Sequence, residues 1–190
     1  IFNKTQAKHV ITVEDPIEYI YPHNKAMIHQ RELGKDTPSY AHALHSALRE
    51  DPDIMLVGEM RDFATISAAI TAAETGHLVL STLHTTSAAQ TIDRIIDGSP
   101  TDQQETIRQQ FAMSVRGVIS QQLLPTVDGQ GRVLATEIMI GNNAISNLIR
   151  ENKTVMINSS IQAGHKEGML TLNESLLDLY RQGRISRKVA

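Results

Sequence analysis

The sequence predicts an α/β fold with a mainly parallel sheet, followed by C-terminal helices, and three observations carry that reading. Short apolar runs recur at residues 10–13, 54–57 and 78–83. Each is rich in Val, Ile or Leu and too short for a buried helix, as strands covered on both faces are. Helix-like segments separate them, which is what parallel strands need to return to the same end of a sheet. Finally, each run is followed at once by a cluster of polar residues.

The elements can be justified in chain order. Residues 10–13 read as the first strand. Thr37-Pro38 then opens a helix, with threonine as N-cap and proline in the first turn, and Ala41, Leu44 and Leu48 form its buried stripe. The second strand, 54–57, leads to Asp62, a side chain suited to capping an alanine-rich helix that ends near Gly76. A third helix, 87–96, follows the third strand. Thr101 and Gln104 have the spacing of a capping box, and Ile107, Phe111, Val115, Val118 and Ile119 then fall on one helical face. Two strand-like runs flank a turn at Asp128-Gly129, the second over 133–140. Ala144, Ile145, Leu148 and Ile149 share one face of a further helix. Thr171 and Glu174 make another capping box ahead of Leu172, Leu176 and Tyr180. Residues 164–168 read as a flexible loop. The expected division is a core over 1–140 and a helical subdomain over 141–190.

Composition excludes several classes of function. The 190 residues are 41% hydrophobic, which suits one compact domain or one with a small appendage. A net charge of −3 and a pI near 6.2 lack the basic excess of a dedicated nucleic-acid binder. The absence of cysteine removes disulfides and thiolate metal sites. No apolar run approaches the length of a bilayer span, and Ile1-Phe2-Asn3-Lys4 is not a signal peptide. Membrane association is therefore expected only through a partner.

The polar clusters point to chemistry. Glu14-Asp15-Pro16-Ile17-Glu18 follows the first strand, Gly58-Glu59-Met60-Arg61-Asp62 the second, and His84-Thr85-Thr86-Ser87 the third. Ligands of an open parallel sheet bind beyond the carboxyl ends of its strands. Carboxylates, an imidazole, hydroxyls and an arginine gathered there suit magnesium-assisted phosphoryl transfer. The metal needs oxygen ligands, the attacking water an orienting acceptor, and the phosphate donors. Structural readings stand beside these: Asp62 as a plain helix cap, Glu14 and Asp15 as a solvated strand end before Pro16, and His77 as the start of a strand. His42 and His45, three apart on a helix, lack a third ligand and read as exposed histidines. Glu137, inside an apolar strand, reads as a buried, hydrogen-bonded structural carboxylate.

The motifs resemble those of the secretion and pilus ATPase family, and within it the type IV pilus retraction ATPases. Residues 14–18 are similar to the family's acidic box, residues 46–62 to its Walker B region, and residues 73–89 to its histidine box. Residues 144–151 resemble a surface helix of the retraction branch, with Ser146 where that branch usually carries arginine. The resemblance implies a RecA-like P-loop NTPase core. It implies that Glu59 is the catalytic carboxylate near Mg2+, that Glu14 and Glu18 help hold the metal and its waters, and that His84 and His77 couple ATP turnover to movement. Arg61 and Arg94 are implied neighbours of the nucleotide or of an adjacent subunit. It further implies a homo-hexamer in the cytoplasm, peripheral at the inner face of the bacterial inner membrane, working against an integral-membrane platform protein and binding no nucleic acid. No G-x-x-x-x-G-K-[ST] loop occurs in the 190 residues. The family places it just upstream, so this stretch reads as a piece that binds ATP poorly without it. The alternatives are a pilus extension or type II secretion ATPase, many of which carry a four-cysteine module absent here, and an interaction module that has lost nucleotide binding.

Overall fold

Four strands, rather than three, make up the parallel sheet in the computed structural model, which describes residues 2–190. They are β1 (His9–Glu14), β2 (Met27–Glu32), β3 (Ile54–Val57) and β4 (Leu78–Ser81), in the order β2-β1-β3-β4. Val13 pairs with Val57, and Val57 with Ser81, so the carboxyl ends of β1, β3 and β4 lie level. The apolar runs predict β1, β3 and β4. They miss β2, whose sequence MIHQRE has no apolar run. As an edge strand it needs little burial, and polar side chains discourage further pairing there. Its register on β1 runs from His9↔Met27 to Glu14↔Glu32.

Packing divides the chain into two compact units, one of Ile1–Leu83 with Gly98–Gln110, the other of His84–Asp97 with Phe111–Ala190. The first unit holds the sheet together with α1 (Phe2–Thr5), α2 (Tyr40–Ala47) and α3 (Phe63–Glu74). Ile11, Val13, Met55 and Val57 form a core with Ala43, Leu44 and Ala47 of α2 and Ala68, Ala69 and Ala72 of α3. The alanines let both helices lie close to the strands. Asp62 caps α3 as expected, its Oδ1 accepting the Thr65 N–H at 2.8 Å. The cap of α2 is Ser39, not Thr37. Thr37 precedes proline and is thereby driven from helical backbone. It forms an isolated bridge with Leu33 instead.

The second unit contains α4 (Ala88–Asp97), the end of α5 (Gln104–Ser114), and the antiparallel strands β5 (Gly117–Pro125) and β6 (Arg132–Ile140). These are followed by α6 (Asn143–Arg150), α7 (Ile157–Ala163) and α8 (Leu172–Arg181). The hairpin around Asp128-Gly129 and the capping box of Thr171 and Glu174 are as expected. Val118 and Ile119 are not helical: α5 stops at Ser114, and Gly117 with the β-branched residues beyond it enters β5. Gly141 fits only as glycine, because a Cβ there would lie 2.2 Å from the Val115 carbonyl oxygen. Gln104 is the first residue of α5 and bonds the Ser99 carbonyl, so Thr101 and Gln104 form no capping box. Residues 164–168 contain a 3-10 turn, His165–Glu167, followed by Gly168 at φ +90°. The hairpin packs with α8, α4 and α7, so the compact units divide elsewhere than at residue 140. The core of this second unit joins Ile92 and Ile96 of α4, Met139 of β6, Ile145 and Ile149 of α6, and Ile157 and Ile161 of α7.

Candidate active site

Parallel pairing brings the first two polar clusters to one edge of the sheet. Glu14 ends β1, and the Gly58 N–H beyond β3 donates to the Val13 carbonyl at 2.8 Å. The backbones at Glu14 and Gly58 are therefore neighbours, with Glu59 one residue further on. A Cβ at Gly58 would stand 3.0 Å from the Tyr40 hydroxyl, 3.2 Å from the Val13 oxygen and 3.5 Å from the Glu14 Cα. Glycine is what lets the three segments approach this closely. The loop after β3 is tied to the exit of β4, since Met60 N–H donates to the Thr82 carbonyl at 3.2 Å.

Three side chains at this edge have defined partners. Glu14 Oε1 accepts from Thr12 Oγ1 at 2.6 Å and from Gln30 Nε2 at 3.0 Å. Glu59 Oε2 pairs with Arg61 Nε at 2.6 Å, and the glutamate side chain is 16% exposed against 64% for the arginine. The hydrogen bond from Arg61 to Glu59, and the charge of that carboxylate, hold the guanidinium above its ordinary range. Tyr40, only 7% exposed, carries its hydroxyl to the same edge. Burial raises its pKa above the usual phenolic value. The negative charges of Asp15, Glu59 and Glu14 act in the same direction, and Arg61 opposes them.

The remaining expected site residues are placed as follows. Glu18 is exposed in the loop after β1, and no hydrogen bond among the described residues ties it to Glu14 or Glu59. His77 immediately precedes β4 and so stands at the opposite, amino-terminal edge of the sheet. Its Nδ1 lies 3.0 Å from the Ala72 carbonyl and 3.1 Å from Thr75 Oγ1, and it lines a separate cavity of about 460 Å³ with Lys8 and Asp53. His84 begins the second unit and is exposed, as is Arg94 on α4. Motif reasoning misses Tyr40 and Gln30. Tyr40 could have been found only as a hydroxyl on the buried stripe of a helix, and Gln30 requires the pairing of β2.

The donor set can be tested against a metal and a nucleotide. Among the described residues, no group of three or more His, Cys, Asp or Glu could hold a metal ion. Magnesium, however, is ordinarily held by one or two carboxylates plus waters and substrate phosphates. Glu14 and Glu59, on adjacent chain segments and both partly exposed, fit that mode and not a resident protein cage. The 190 residues contain no G-x-x-x-x-G-K-[ST] phosphate-binding loop.

Comparison with known proteins gives a consistent result. A family model for type II/IV secretion system proteins matches residues 1–144. The chain is 55% identical to a twitching motility protein of Neisseria gonorrhoeae, covering 99% of this chain and 50% of that relative. It is 53% identical to the type IV pilus retraction ATPase PilT of Pseudomonas aeruginosa, covering 99% and 54%. A crystal structure of the pilus retraction motor PilT with bound ADP superposes with a TM-score of 0.90 at 51% identity, over 98% of this chain and 52% of that one. The expected RecA-like α/β core is thus the fold of this chain, which spans about half the length of the curated relatives it matches.

Proposed function

The chain belongs to the type II/IV secretion system protein family, and on that premise we propose that the whole protein is an ATP-hydrolysing hexameric motor driving type IV pilus retraction. The single observation that carries the reading is the pairing of β1 with β3, which sets Glu14 beside the Gly58-Glu59 turn. The extent of similarity to retraction proteins, 99% of the chain, supports retraction over extension. Its expected setting is the cytoplasmic face of the inner membrane, against a platform protein. Among the described residues, no helix is long and apolar enough to cross a membrane.

Each residue has a task that follows from its surroundings. Glu59 accepts a hydrogen bond from the attacking water and orients it for in-line displacement. To do so it must leave Arg61, and because that guanidinium is largely solvated the exchange is inexpensive. Arg61 is then available to the nucleotide or to a neighbouring subunit. Glu14, fixed through one oxygen by Thr12 and Gln30, presents the other to the metal or its waters. Bound Mg–ATP supplies the phosphoryl group and neutralises the charge that develops on it. Tyr40 offers a hydroxyl donor at the wall of the site. Glu18, His84, His77 and Arg94 keep their proposed family roles, Glu18 at the metal's waters and the others in coupling and subunit contact.

The decisive experiment is steady-state ATP hydrolysis by the full-length protein and its Glu59→Gln variant. Loss of the carboxylate should lower kcat by about 10²–10³-fold, the size of effect seen when one transition-state contact is removed, with nucleotide binding retained. Wild-type turnover in the variant would refute the assignment of Glu59. Disruption of the gene should leave cells with surface pili that do not retract, and cells without pili would instead indicate an extension motor.

A further inference from the structure

At the amino-terminal edge of the sheet, away from the carboxylates, two imidazoles meet. His9 Nε2 lies 3.0 Å from His29 Nδ1, with the rings edge-on and their centroids 5.0 Å apart. His9 opens β1, and His29 sits opposite Ile11 on β2. The partners assign the tautomers. His9 Nδ1 is 3.1 Å from the Glu50 carbonyl oxygen, which can only accept, so this nitrogen carries the hydrogen. In the neutral ring, Nε2 then presents a lone pair and receives the His29 Nδ1–H. His23 packs edge-on to His29 at 6.2 Å, its own Nδ1 accepting the Ile28 N–H at 3.0 Å.

We propose that His9 and His29 form a two-imidazole site for a tetragonal divalent transition-metal ion of the Cu2+ or Ni2+ class. A backbone carbonyl that holds the far nitrogen of a histidine is a standard support for a metal-bound imidazole. Imidazole suits copper, nickel and zinc alike, and with only two protein ligands the intrinsic affinity order, which places copper above nickel and zinc, decides among them. Two metal–nitrogen bonds of about 2.0–2.1 Å place ligands about 2.9 Å apart at a right angle and about 3.3 Å apart at a tetrahedral one. The observed 3.0 Å, here the length of a hydrogen bond, lies within that range, so one ion can replace the hydrogen between the two nitrogens with a small tilt of one ring. On binding, the metal replaces the proton shared by the two rings. The hydrogen of His29 moves to its Nε2, and the exposed His29 ring tilts so that both lone pairs face the ion. Water completes the coordination, and with only two protein ligands the ion remains exchangeable.

Calorimetric titration of the full-length protein with copper, nickel and zinc chlorides in a non-chelating buffer tests the site. One equivalent should bind, copper most tightly, then nickel, then zinc, and the copper complex should give a tetragonal paramagnetic resonance spectrum with nitrogen hyperfine structure. His9→Gln and His29→Gln should each weaken binding at least about tenfold. The double variant His42→Gln/His45→Gln, which removes the helical pair on α2, should leave it unchanged. Binding that survives both single variants, binding abolished by the α2 variant, or no binding at all overturns the proposal. Circular dichroism monitors folding, and if one single variant unfolds, the other decides.

Discussion

Glu59 and Glu137 each interrupt or follow an apolar strand, yet their surroundings differ in kind. Glu59 lies just beyond the carboxyl end of a parallel strand, in a turn bounded by Gly58, and its carboxylate pairs with a mostly solvated arginine. Glu137 faces inward from the middle of β6, is 7% exposed, and accepts the Ala88 N–H at the start of α4 at 2.7 Å. The first carboxylate can exchange partners at little cost. The second discharges a structural debt, because α4 begins with backbone N–H groups that need an acceptor and welcome negative charge. On the role proposed for Glu59, what separates a reactive carboxylate from a structural one is how readily its partner can be exchanged, a solvated arginine in one case and a buried backbone N–H in the other.

Substitutions can break or sharpen that contrast, beginning with the largest effect. Glu59→Gln in the full-length protein should remove about 3–4 kcal/mol of transition-state stabilisation while the thermal midpoint stays put. A fall in midpoint matching the fall in rate would make Glu59 a structural residue too. Glu137→Ala should do the opposite, destabilising the 190-residue chain by about 1–3 kcal/mol through the unpaired Ala88 N–H. Glu137→Gln keeps an acceptor and should recover most of that loss in urea unfolding. Asp62→Ala, which removes only the cap of α3, should lower stability by about 1 kcal/mol, and no change would mean that the helix end is solvated equally well.

The smallest effect concerns Tyr40, the buried hydroxyl beside Glu59. Its folded-state pKa is raised by burial and by the carboxylates around it. The stability this contributes is fully present below the ordinary phenolic value, about 10, and is lost as pH rises through the folded-state value. Ultraviolet titration should therefore show one of the four tyrosines ionising later than the rest. Tyr40→Phe should abolish that late phase. If the phase persists, the hydroxyl does not face the charged edge.

Much of this arrangement was legible beforehand, for identifiable reasons. Strands buried between layers must be apolar, so β1 and β3 declare themselves, and β4 shares their apolar run although it is an edge strand with Leu78 and Leu80 exposed. Asp62 and Thr171 act through bonds to residues three positions away, so their roles are written locally. Glu137 was recognisable because a carboxylate inside an apolar strand demands a partner. Edge strand β2 was not recognisable, since its stability comes from pairing with β1 and not from burial of its own side chains. Val118 and Ile119 satisfied a helical spacing as well as a strand one, and pairing with Met139 and Ile138 decided the matter.

By itself, the order of residues determined the fold class, the family motifs and the identity of the acidic residues at the strand ends, because these depend on local periodicity and on the directionality of parallel strands. Only the tertiary structure decided which groups meet. It set Gln30 and Thr12 on Glu14, Arg61 on Glu59, Tyr40 against Gly58, and His77 at the far edge of the sheet. Such contacts depend on strand order and register, which arise from the simultaneous packing of segments far apart in the chain and are encoded in no single one of them.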